Sequence, residues 1–120
     1  MPETYAVKRR FPRIPSQNAL LVRKLGPRQV EGFAKTRVVG LGGCMFESDE
    51  RLGEGSHLDL LISVRGQIVR ARARVVYELH RAQDRVEVGV EFVDLPEHDR
   101  AVIASLFSGG LQRRRGGSPS

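Results

Sequence analysis

The chain has 120 residues, 40% of them hydrophobic, with 20 Lys and Arg against 14 Asp and Glu, one Cys and no Trp. That length suits one domain with a small core, and apolar runs broken by charge every few residues exclude a membrane span of roughly 18 apolar residues. A lone Cys44 excludes an internal disulfide, and His57, His80 and His98 are too scattered for a metal centre, so neither metal nor cofactor is expected.

The opening stretch, "MPETYAVKRR", has no apolar segment behind its cations, so no secretory signal is expected and a cytoplasmic location follows by default. Residues 1–15 hold Lys8, Arg9, Arg10 and Arg13 against Glu3 alone. Arg9 and Arg13 would share one face of a helix, but Pro12 and Pro15 disfavour a helix, and a flexible, extended polyproline-like arm is expected instead. Ordering such an arm costs little entropy, and arginine forks grip phosphate oxygens in pairs and stack on a flat base.

Period-two alternation organises the middle of the chain. "NALLVRKLG" and "VEGFAKTRVV" read as two strands joined by a Gly-Pro turn, and "CMFES" as a short strand after Gly40, Gly42 and Gly43. "DERLGEG" is a polar loop. "HLDLLISV" puts Leu58, Leu60, Ile62 and Val64 on one face, with Leu61 alone out of place. "QIVRARARVVY" sends Val69, Ala71, Ala73, Val75 and Tyr77 inward and Arg70, Arg72 and Arg74 outward, and "RVEVGVEFV" sends Val86, Val88, Val90 and Phe92 inward. A turn centred near Arg81 and Ala82 would set Arg72 opposite Glu91 and Val76 opposite Glu87.

After the last strand, Pro96, Glu97 and Asp99 mark a helix start, and Val102, Ile103, Leu106 and Phe107 recur at helical spacing, so a helix is expected over about 96–107. Glycines then lead into a basic tail containing Arg113, Arg114 and Arg115 that is expected to be disordered. The two chain ends carry the whole formal charge of +6, seven cations against one acid, and leave the middle neutral. A nucleic-acid footprint spread over one face is therefore not expected; a local anion site beside the N-terminus is.

Six strands at short spacing, few connecting helices and one terminal helix predict an all-β protein, a small six-stranded antiparallel barrel with a C-terminal α-helix that plugs or flanks it. The expected division is an arm over 1–15, a barrel with its helix over 16–108 and a tail over 109–120. No acid, His or nucleophile stands at a catalytic spacing, so the chain is not expected to be an enzyme, and Cys44 reads as a small core residue. The glycines of "VVGLGGCMF" admit positive φ and expose backbone amides, but no helix follows them, which excludes a P-loop or dinucleotide fingerprint.

The arm "RRFPRIP", the turn "GLGGCMF", the strand "VEVGVEFVDL" and the closing helix, taken together from about Lys8 to Phe107, resemble the PilZ family of bacterial receptor domains for cyclic di-GMP. The resemblance implies a split barrel, no cofactor, a downstream protein partner, and no DNA, RNA or membrane insertion. Arg9 and Arg13 fall on the family's Arg-x-x-x-Arg, with Arg10 between them, and imply contacts to guanine and phosphate. The family's second motif, Asp/Asn-x-Ser-x-x-Gly, falls on Val38, Gly40 and Gly43, and only Gly43 matches. The two missing polar groups would weaken binding by roughly 30-fold to 10⁴-fold, and Lys8, Arg10 and Arg37 are the nearest cations that can compensate. Two readings result: a receptor with weakened affinity, or a ligand-independent adaptor that holds a protein partner on the barrel face or on the Arg70, Arg72, Arg74 stripe.

Overall fold

The computed structural model describes residues 13–27 and 30–117, the side chains of residues 30 and 108–117 excepted. Seven strands and one helix occur in the order β1 (Arg13–Pro15), β2 (Ala19–Lys24), β3 (Val30–Gly40), β4 (Gly43–Ser48), β5 (His57–Val64), β6 (Gln67–Ala82), β7 (Arg85–Asp94) and α1 (Glu97–Gly117). Neighbours run β3-β2-β5-β6-β7-β4, and a further β3–β4 pairing closes the ring, so six antiparallel strands form a barrel and β1 lies outside it. Closure satisfies the backbone groups that an open sheet would leave on its edges.

The alternation in β5 and β6 does what it predicts. Leu58, Leu60, Ile62, Val64, Val69, Ala73 and Val75 are buried and meet Val39, Phe46 and Val88 inside the ring. β5 and β6 are joined by a two-residue turn in which Arg65 and Gly66 both take positive φ, the geometry that matches the twist of a tight hairpin. Arg65 Nη1 donates to the Ser105 carbonyl at 2.9 Å, tying this turn to α1. Val102 and Ile103 of α1 are buried in the same core, with Leu106 and Phe107 packed against it.

Three expectations are corrected. The β6–β7 turn falls at Gln83 and Asp84, with Ala82 opposite Arg85, and the ladder shifts register at Arg72/Ala73, Val75/Tyr77 and His80/Ala82. Each extra residue changes the phase of everything after it. Arg74 therefore meets Glu91, Arg72 stands opposite Asp94 and binds Asp59 at 2.7 Å, and Glu87 faces Leu79. Tyr77, expected inside, lies on the outer face, its ring over Gly89 and its hydroxyl donating to Glu87 Oε2 at 3.1 Å. Finally, α1 runs on through Gly109 and Gly110 to Gly117, beyond the expected boundary at 107. A helix accommodates glycine at about 1 kcal/mol per residue.

The seventh strand, β1, lies beyond the six that the alternation predicts. It pairs with β3 at Arg13↔Gly40, Ile14↔Val39 and Pro15↔Val38, while β2 takes the earlier stretch of β3 from Val30 to Lys35. β4 occupies the other side of β3 at residues 36–39, so β1 and β2 lie in line along one side. The junction between them is fastened by Thr36, the one buried polar side chain among the described residues. Its hydroxyl donates to the Ser16 carbonyl at 2.6 Å and accepts from the Asn18 amide at 2.9 Å, and its own backbone amide donates to the Asn18 carbonyl.

Candidate functional site

The stretch from Val38 to Gly43, expected to correspond to the second motif, sits where β3 turns into β4, and β1 brings Arg13, the last residue of the expected first motif, to it. Arg13 is directly opposite Gly40, and Pro15 is opposite Val38. Arg9 and Arg10 lie outside the described residues. Gly43 opens β4 and faces Glu91 on β7. A methyl group on Gly43 would stand 2.1 Å from the Val90 carbonyl oxygen, so the absence of a side chain is what lets these two backbones meet. None of Gly40, Gly42 and Gly43 has positive φ, so the expectation on that point is corrected: the requirement at Gly43 is for space.

A bulge shapes the outer surface beside this corner. Thr36 faces Phe46 and Val38 faces Met45, which leaves Arg37 as the extra residue. Thr36 and Val39 are buried, while Arg37 and Val38 come out side by side. A plain alternation would have sent one of them inward. They line an open groove of about 420 Å³ together with Pro15, Ser16, Gln17 and Met45. Its floor of Pro15, Val38 and Met45 is apolar enough for a flat ring, and its rim carries a guanidinium and a side-chain amide.

Arg37 is held where it is by a carboxylate. Its Nη1 lies 2.9 Å from Glu47 Oε2, and the other oxygen of Glu47 receives Arg85 Nη1 at 3.0 Å. All three side chains are substantially exposed, so each pair contributes under about 1 kcal/mol, and an incoming anion can displace the carboxylate cheaply. The sequence singles out Arg37 but neither Glu47 nor Arg85. Their proximity depends on the bulge and on the β4–β7 register, which leave no local signature.

Behind the groove, Cys44 pairs with Val39 and is buried. Burial pushes its thiol from the ordinary 9.0 up to about 12, and the nearby Arg13 charge offsets only part of that. At pH 8 the folded protein therefore holds about a thousandfold less thiolate at this position than the unfolded chain, and a disulfide reagent should label Cys44 only at the rate of unfolding. The linked stability has a definite sign. Because the folded pKa is the higher one, the contribution is fully present below about pH 9 and is lost as pH climbs towards 12. Fast labelling of the native protein at pH 8 would contradict this.

Among the described residues no group of His, Cys, Asp and Glu could hold a metal ion, and no helix is long and apolar enough to cross a membrane. The closed barrel, the outside strand carrying Arg13 and the glycine corner together define a small closed antiparallel β-barrel domain. A sequence profile of the PilZ domain matches residues 7–109, most of the chain, and the chain belongs to that family. No curated protein matches it.

Solved structures share the fold at low identity. The Bacillus subtilis inhibitor of motility MotI/DgrA superposes with a TM-score of 0.71 at 14% identity, over 89% of this chain and 53% of that one. The K. pneumonia MrkH–c-di-GMP complex gives 0.69 at 15%, over 91% and 55%. The PilZ domain of Escherichia coli YcgR, solved with c-di-GMP, gives 0.65 at 14%, over 94% and 99%. This chain thus spans about half the length of the first two and essentially the whole of the isolated YcgR domain.

Proposed function

We propose that this chain is a cyclic di-GMP receptor domain of bacterial second-messenger signalling, acting in the cytoplasm, with affinity reduced by the loss of two polar motif residues. The single observation that carries the reading is the pairing of Arg13 with Gly40, which sets a family arginine at the corner of the groove that Val38 lines. The ligand draws the N-terminal arm with Arg9 and Arg10 across the groove, and the altered surface engages a protein partner. Gly40 leaves room for the ligand, Gly43 lets β4 close against β7 beside it, and Val38 supplies contact without a hydrogen bond. Arg37 takes part of the place of the missing Asp or Asn by exchanging Glu47 for a ligand phosphate. A phosphate contact restores affinity more than base identity, so binding is salt-sensitive and only modestly selective for guanine. None of these residues has a catalytic part to play.

The competing reading, a PilZ adaptor that binds no nucleotide, is favoured by Val38 itself, an apolar side chain in the groove where the family places a carboxylate or amide. Isothermal titration separates the two. With cyclic di-GMP as titrant and GTP and linear di-GMP as comparisons, saturable heat is expected from cyclic di-GMP. Arg13→Ala and Arg37→Ala should each weaken binding by about tenfold or more, consistent with about 1.4 kcal/mol per charge-assisted contact, and should flatten its salt dependence. No heat at millimolar ligand leaves the adaptor.

A further inference from the structure

The outer face of β3, β2, β5 and β6 carries the one residue that broke the alternation of β5. Leu61 stands opposite Leu21 on β2 and Arg70 on β6, and Leu21 stands opposite Phe33 on β3. One row across four strands therefore reads Phe33, Leu21, Leu61, Arg70. The next row, built from the same registers, reads Glu31, Arg23, Asp59, Arg72. Phe33 is 88% exposed, and Arg70 has no ion-pair partner among the described residues. The leucines form the wall of an outer cleft of about 250 Å³.

We propose that this face binds a second copy of the chain about a two-fold axis running parallel to the strands between β2 and β5. Such an axis keeps each row facing itself but reverses the order of strands. Leu21 of one copy meets Leu61 of the other, and Arg23 meets Asp59. One strand further out, Phe33 meets Arg70, a cation over an aromatic face, and Glu31 meets Arg72. Every contact is apolar on apolar, opposite in charge or cation on aromatic. That self-complementarity is what an isologous contact requires. The same face suits a strongly acidic or basic partner poorly, because its charged row is balanced. Four strands at about 4.8 Å spacing make a face only 15–20 Å wide, small against the roughly 800 Å² that each partner of a standard interface buries. The dimer is consequently weak, with a dissociation constant on the order of 100 µM.

Sedimentation equilibrium from 20 µM to 1 mM tests the association. The mean mass should rise towards that of a dimer, and Leu61→Asp should raise the dissociation constant at least tenfold. A chain that stays monomeric at 1 mM, or one whose association ignores Leu61→Asp, overturns the proposal and leaves the face to another partner. The axis is tested separately and does not depend on that variant folding. Leu21→Cys and Leu61→Cys chains are mixed and oxidised, with buried Cys44 out of reach of the reaction. Mixed 21–61 disulfides should outnumber 21–21 and 61–61 disulfides several-fold. A statistical mixture of the three also overturns the proposal, and either failure leaves the nucleotide reading standing.

Discussion

Gly43→Ala is expected to lower stability by on the order of 3 kcal/mol or more, a large share of what a domain of this size has to lose. The new methyl would sit 2.1 Å from the Val90 carbonyl oxygen and 3.1 Å from the Glu91 Cα, both backbone atoms that no rotamer change can move away. Relief requires β4 and β7 to separate, and that pairing runs for six residues, from Gly43↔Glu91 to Ser48↔Val86. Urea denaturation measures the loss, and a fall of about 12–24 °C in Tm should accompany it. Gly32→Ala is the control. It lies in the same sheet with nothing within 4 Å of its added methyl, and it should be neutral or slightly stabilising. If Gly43→Ala behaves like Gly32→Ala, close approach of the strands is not why glycine stands there.

The second large effect is a gain. Val38→Asp combined with Gly40→Ser should tighten binding of cyclic di-GMP at least tenfold, each restored hydrogen bond being worth about 1–3 kcal/mol at a partly buried site. Val38 lines the groove, so a carboxylate there points at the ligand space and lies next to Arg37 in the chain. Gly40 does not take a positive φ, so serine can adopt its backbone conformation. Titration of the double variant against the parent chain decides the matter. An unchanged affinity would mean that residues 38 and 40 are not the counterparts of the family's polar pair.

The barrel was legible because its inner face is written in period two. Leu58 to Val64 and Val69 to Val75 alternate with few exceptions, and a half-buried strand has no other way to read. What the sequence concealed came from bulges. The extra residue at Arg37 puts two neighbours on one face, and the β6–β7 turn, two residues later than expected and partly offset by the three register shifts, moves the charge pairs by two or three positions. A bulge is stabilised by contacts from other strands, so nothing local announces it. The site was half legible. Arg13 stands opposite Gly40, two residues along β3 from Val38, and these stand out in the sequence because an arginine fork and a glycine corner carry their chemistry in their residue types. Pro15, Gln17 and Met45 do not stand out, since a proline, an amide and a thioether are ordinary anywhere, and only the pairing of β1 with β3 assembles them into a groove.

The stitching of Ser16 and Asn18 to Thr36 limits how a signal can travel. It moors the end of β1 to β3 beside the groove, so in the receptor proposed above a bound ligand would be reported by the changed surface around Arg13 rather than by a sliding of β1 along β3.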